Sequence, residues 1–152
     1  MRLSAFTDRR FVDLEVEPGS KAEVLEKLSG LISKSRHVRD PKRLLVDVLA
    51  REELVTTGVG HGVAFPHAKS EAVSEVVFAF GRAKGPIDFG ALDGEPVRLI
   101  FLIGAPKAQE PSRVYLNLMA RLSFLMKEEE NRRRLLEAER VEEIFELLDS
   151  VK

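Results

Sequence analysis

The sequence contains no cysteine. Disulfides, thiol nucleophiles and thiolate metal sites are therefore excluded. It has no surplus of either charge: 24 lysines and arginines face 25 aspartates and glutamates. Nothing electrostatic favours nucleic acid or an anionic membrane surface as partner. Long apolar runs are also missing. The longest, Leu99-Ile100-Phe101-Leu102-Ile103, is far too short to insert across a bilayer. The opening residues Met1–Asp8 lack the apolar stretch of a signal peptide. A soluble cytoplasmic protein is the expected class. The 152 residues, 44% of them apolar, suffice for one domain with a substantial core. That domain is expected to span 1–152, with 1–10 a loosely ordered N-terminal segment.

Hydrophobic periodicity gives the order of elements. Residues 11–16 alternate apolar and polar, as a half-buried strand does. Ser20 and Glu23 form a capping-box pattern ahead of a helical stripe through Val24, Leu28 and Leu31. Asp40-Pro41 starts a second helix with Leu44, Leu45, Val48 and Leu49 as its inner face, fading near Leu54. Residues 56–62 read as loop, 63–65 as a short strand and 76–80 as another. Gly85-Pro86 reads as a break. Residues 97–103, nearly all apolar, read as a central strand covered on both faces, ended by Gly104-Ala105-Pro106. A largely buried helix is expected from about Ser112 to Lys127, with Tyr115, Met119, Leu122 and Met126 in one stripe. The tail continues helically through Leu136, and Val141, Ile144, Phe145 and Leu148 mark a last amphipathic helix. Each of Glu128, Glu129 and Glu130 lies four residues before an arginine, which reads as a solvated face of helix ion pairs. The order predicts an α/β sandwich: one mixed β-sheet flanked by helices.

The chemistry concentrates in Gly58-Val59-Gly60-His61-Gly62-Val63-Ala64-Phe65-Pro66-His67. Pro66 fixes its own φ and holds Phe65 extended, so His67 follows a segment of set direction with its ring aimed outward. A neutral imidazole is a good nucleophile near pH 7 and can take up and return a phosphoryl group. Such a transfer needs positioning and donors for the phosphoryl oxygens rather than a metal. Arg51, sixteen residues upstream at the mouth of the same loop, offers a guanidinium. Thr56 and Thr57 offer hydroxyls, and Gly58, Gly60 and Gly62 leave backbone amides open to an anion. The glycines do not fit G-x-G-x-x-G, because Val63 takes the third position, and no phosphate-binding P-loop or G-x-S-x-G is present. His61 and His67 lack standard metal-ligand spacing and His37 lies far upstream, so neither metal nor cofactor is expected.

Arg51-Glu52-Glu53-Leu54 followed by Thr56-Thr57-Gly58-Val59-Gly60-His61-Gly62-Val63-Ala64-Phe65-Pro66-His67 resembles the active-site signature of type-2 IIA domains of the bacterial phosphoenolpyruvate phosphotransferase system. These are the fructose/mannitol and nitrogen-regulatory IIA proteins. The rest of the chain, from about residue 10 to 150, agrees more loosely. The resemblance implies that His67 is the phosphoacceptor, charged by an HPr-like histidine phosphocarrier, with Arg51 beside it. It implies a phosphohistidine carrier rather than a multiple-turnover enzyme. Many members carry a second histidine in a His-Leu pair at the start of the penultimate helix; here the pair is Tyr115-Leu116. The Tyr115 hydroxyl can bond the ring or the phosphate, or the residue can be core. His61 falls where family members vary, and a surface placement is expected. A chain of this length without a fused IIB or permease points to the nitrogen-regulatory branch, acting on regulatory target proteins. The alternatives are a sugar-specific IIA that hands phosphate to a separate IIB, and a binding module of the same fold that transfers nothing.

Overall fold

The fold is that of a computed structural model describing residues 2–107 and 113–151. Among the described residues six strands form one mixed sheet. They are β1 (Val12–Val16), β2 (Gly58–Gly60), β3 (Val63–Ala64), β4 (His67–Ser70), β5 (Val77–Ile87) and β6 (Val97–Pro106). The spatial order is β1-β5-β6-β3-β2, with β4 also paired to β6. β5 and β6 are antiparallel, while β1 runs parallel to β5 and both β3 and β4 run parallel to β6. Val63 opposes Leu99 and His67 opposes Ile103. The register is therefore constant, and β3 and β4 are one extended line along β6. The gap falls at Pro66, which has no N–H to donate. Its carbonyl still accepts from Ile103 N–H at 2.9 Å.

Among the described residues five helices cover the sheet: α1 (Lys21–Ile32), α2 (Pro41–Leu54), α3 (Arg113–Lys127), α4 (Glu129–Glu137) and α5 (Val141–Asp149). Ser20 and Glu23 close the expected capping box at α1, and the Asp40 carboxylate accepts from Arg43 N–H at the start of α2. Side chains alternate across the pleat. Ala64, Ala68, Ala79, Ile100 and Leu102 pack with α1 and α2 on one face. Val63, Phe65, Phe78, Phe80, Phe101 and Ile103 pack with α3, α4 and α5 on the other. Phe101 is the aromatic centre of that second core, with the Phe80 ring 4.8 Å and the Phe65 ring 5.5 Å away. Each such fully buried ring stabilises the fold by roughly 1.5–3 kcal/mol.

Near the start of the described residues, 3-10 turns form at Leu3–Phe6 and Arg9–Phe11, and Leu3 is wholly buried in the second core. Several expectations are corrected. The segment 56–62, expected as loop, contains β2, which pairs with β3 as a tight hairpin. β4 lies where no strand was expected, because His-Ala-Lys-Ser carries no apolar pattern. β5 does not break at Gly85-Pro86. Its pairing with β6 shifts between Arg82 and Ile87, and this irregularity takes up a proline without spoiling a regular ladder. β6 likewise continues through Pro106. The expected helix start at Ser112 lies outside the described residues. α3 is not buried all round: Val114, Leu116 and Phe124 are at least half exposed. On α4, Arg133 pairs with Glu130 and Glu137 rather than with Glu129, and Arg132 donates to the Met126 and Lys127 carbonyls that end α3.

Candidate functional site

His67 opens β4, and its place in the pleat decides what it meets. Residues 63, 65, 67 and 69 share the face covered by α3. The His67 ring accordingly lies against Tyr115, with centroids 5.9 Å apart and planes tilted by 49°. It is half-buried rather than fully outward. Its Nδ1 is 2.8 Å from the Phe65 carbonyl oxygen. A carbonyl only accepts, so Nδ1 carries the proton and Nε2 keeps the lone pair. Burial is the main cause that holds the His67 pKa below the usual histidine value. The bond to Phe65 opposes it, Arg51 and Lys69 lower it further, and Glu52 pulls upward. The result is a neutral ring of fixed tautomer, ready as a nucleophile through Nε2.

Arg51 reaches the ring from the other side. Its guanidinium donates to the Val55 carbonyl at 3.0 Å, where α2 ends and the chain turns extended. Gly58 pairs with Ala64, and Phe65 N–H donates to the Thr57 carbonyl. Counting back along that antiparallel register sets Val55 level with His67. Arg51, Leu54, His67, Lys69 and Tyr115 line one surface hollow. Among the described residues Arg51 has no carboxylate partner, so donors of its fork remain for an anion.

The threonines and glycines are placed differently. Thr57 is buried, and both its N–H and its hydroxyl donate to Glu52, at 2.8 and 2.5 Å. The Thr56 hydroxyl donates to the Phe89 carbonyl and accepts from Gly58 N–H. These groups brace the start of the hairpin and are not open to an anion. Gly60 and Gly62 sit at the hairpin tip with φ of +108° and +77°, flanking His61 at +57°. Gly62 is five residues up the strand from His67, roughly 16 Å away along β3 and β4. The structure thus brings His67, Arg51 and Tyr115 together and leaves Gly60 and Gly62 apart from them. His61, exposed as expected, has its N–H held by Asp93 at 3.0 Å.

Tyr115 is 7% exposed, and its hydroxyl makes no hydrogen bond among the described residues. Burial raises its pKa, with Arg51 acting in the opposite direction. Both alternatives for this residue hold in part: the ring belongs to the second core and also walls the hollow. Two contributors were missed in the sequence. Glu52, only 6% exposed, accepts from Thr57 and from Lys21 Nζ at 2.8 Å, and so clamps the end of α2 to the hairpin. A glutamate followed five residues later by threonine at the end of a helix was the available signal. Lys69 lies two residues beyond His67, and strand alternation alone puts it on the same face. Among the described residues no cluster of histidine and acidic side chains suits a metal ion, and no helix is long and apolar enough to cross a membrane.

Comparison with known proteins agrees with this architecture. The family model described as "Phosphoenolpyruvate-dependent sugar phosphotransferase system, EIIA 2" matches residues 5–151. The fructose-specific EIIA component of Haloferax volcanii is 36% identical over 149 residues, covering 98% of this chain and 96% of that protein. The fructose-specific EIIABC component of Bacillus subtilis is 32% identical over 149 residues, and there the chain spans only 23% of the relative's length. The crystal structure of the nitrogen regulatory protein IIA-Ntr from Neisseria meningitidis superposes with a TM-score of 0.88 at 28% identity, covering 96% of this chain and 98% of that one. With the match running almost end to end, the chain belongs to the EIIA 2 family of the phosphoenolpyruvate-dependent sugar phosphotransferase system.

Proposed function

We propose that this chain is a phosphohistidine carrier whose acceptor atom is Nε2 of His67. The observation that carries the reading is the Nδ1–Phe65 bond, which commits the lone pair to Nε2 on a ring that lines the same hollow as Arg51. An HPr-like carrier presents its own phosphohistidine. The donor's N–P bond breaks as the Nε2–P bond forms, and the proton on Nδ1 stays shared with the Phe65 carbonyl. Arg51 meets the charge that spreads over the phosphoryl oxygens in a loose transition state. The product carries about two negative charges on the phosphoryl oxygens against one positive charge on the ring that keeps its Nδ1 proton, a change that partners can read. Phosphoenolpyruvate is a cytoplasmic metabolite, so the reading places the chain in the cytoplasm.

Downstream, we take the nitrogen-regulatory branch, in which the charge state of His67 switches contacts with regulatory proteins. The near-complete superposition on the Neisseria regulatory protein supports it. The 36% identity to the Haloferax fructose-specific component supports the second reading, transfer to a separate IIB protein. Incubation with enzyme I, an HPr-like carrier and labelled phosphoenolpyruvate tests the common core. Acid-labile label is expected on the wild type and none on His67→Gln. Label on both variants removes His67 as acceptor. A wild type left unlabelled beside a charged carrier makes the chain a binding module. Loss of label to an added IIB then separates sugar transfer from regulation.

A further inference from the structure

We propose that Lys69 is a second cationic ligand for the phosphoryl group on His67, held on the face of Tyr115 until the phosphate arrives. The inference rests on the carrier reading above. Lys69 follows His67 by two residues on β4, so the two side chains leave the sheet on one face about 7 Å apart. The Lys69 ammonium lies 5.5 Å from the centroid of the Tyr115 ring. That same ring is 5.9 Å from the imidazole. Cation, aromatic face and nucleophile therefore form one compact group lining one hollow.

The cation is not otherwise engaged. Among the described residues Lys69 has no carboxylate partner. The carboxylate that lines the hollow, Asp47, is already bonded by Arg43 Nε at 3.2 Å and by the Ser70 hydroxyl at 2.6 Å. What holds the ammonium is the weak attraction of an aromatic quadrupole at an exposed site. A charge-assisted bond to a phosphoryl oxygen is the stronger interaction, and a four-carbon stem on a flexible side chain can swing the short distance to it. Lys69 already acts electrostatically on the ring, as one of the charges that lower the His67 pKa. Arg51 comes from α2 and Lys69 from β4 against Tyr115 of α3, so two cations line the hollow that His67 also lines.

The chain has one tyrosine and no tryptophan, so its ultraviolet emission, excited at wavelengths beyond phenylalanine absorption, reports Tyr115 alone. Phosphoramidate serves as donor because it needs no protein partner: its P–N bond breaks, ammonia leaves and the Nε2–P bond forms. At saturating phosphoramidate, Lys69→Met is expected to label about tenfold more slowly than wild type, with Lys69→Arg restoring most of the rate. Loss of a single preorganised donor at a fully desolvated site is larger, about 10²–10³-fold, and the exposure of Lys69 reduces it. Wild-type Tyr115 emission is expected to shift on phosphorylation as the ammonium leaves the ring, and to stay constant in Lys69→Met. Lys69→Met labelling at the wild-type rate, or showing the wild-type emission shift, overturns the proposal while leaving His67 as acceptor. Label that survives His67→Gln, or none on the wild type, removes the carrier reading and this one with it.

Discussion

Glu52 gives the sharpest test of how the site is held. The residue is 6% exposed, and its carboxylate accepts three bonds: Thr57 N–H, the Thr57 hydroxyl and the Lys21 ammonium. Replacing it by alanine strands two buried Thr57 donors, each costing about 1–3 kcal/mol when unsatisfied. The Lys21 side chain is 28% exposed, so its ammonium turns to water and adds little. Water entering the space left by the side chain offsets part of the loss. The expected cost of Glu52→Ala is about 3 kcal/mol, which for a chain of this size lowers the Tm by roughly 10 °C. Thr57→Val removes one bond to a charged acceptor and is expected to cost about 2 kcal/mol. The two effects share an interaction, so Thr57→Val in the Glu52→Ala background is expected to cost at least 1 kcal/mol less than in the wild type. Urea unfolding of the four proteins measures the cycle. Strict additivity, or a Glu52→Ala midpoint equal to wild type, refutes the clamp.

Two further outcomes follow from the same geometry. His67 is neutral when it attacks, and its pKa is depressed by burial and by Arg51 and Lys69. Phosphate acceptance is therefore expected to persist as pH falls through the ordinary imidazole value of about 6.5 and to be lost only at the lower, folded-state pKa. The unfolded chain binds the proton first, so this group also removes stability as pH falls below about 6.5. NMR titration of His67 is expected to show the depressed value and, in Arg51→Ala, an upward move; an unchanged value in that variant removes Arg51 from the ring's surroundings. At Gly81, an added Cβ would lie 2.7 Å from Leu28 Cδ2 and 3.1 Å from Val16 Cγ2, both in packed core. Gly81→Ala is expected to lose about 1–3 kcal/mol by overpacking, and a denaturant midpoint at or above wild type contradicts that packing.

How much of the site the sequence disclosed depends on which signal each residue carried. His67 and Arg51 were legible because proline, helix end and spacing act locally. The role of the glycines was not, because a glycine satisfies two demands that look alike in sequence. Gly60 and Gly62 are accounted for by their positive φ in a hairpin tip, and Gly58 by a Cβ position only 2.8 Å from the Ala91 Cβ. An open amide for an anion and a backbone that rejects a side chain are distinguished only by where the chain lies. β4 was hidden because half-buried His67 and exposed Lys69 alternate with Ala68 and Ser70, which are buried but small or polar. That same feature explains why the site exists there. Among the described residues β4 pairs with β6 alone. Its even positions meet α2, as the Ser70–Asp47 bond shows, and its odd positions meet α3, as the Tyr115 contacts show. In the middle of a sheet, groups from opposite layers stand about 10 Å from the plane on either side and cannot meet. At an edge the last turn of α2 reaches round the strand, so Arg51 from one layer and Tyr115 from the other converge on a single imidazole. A strand paired to the free side of β4 would separate them.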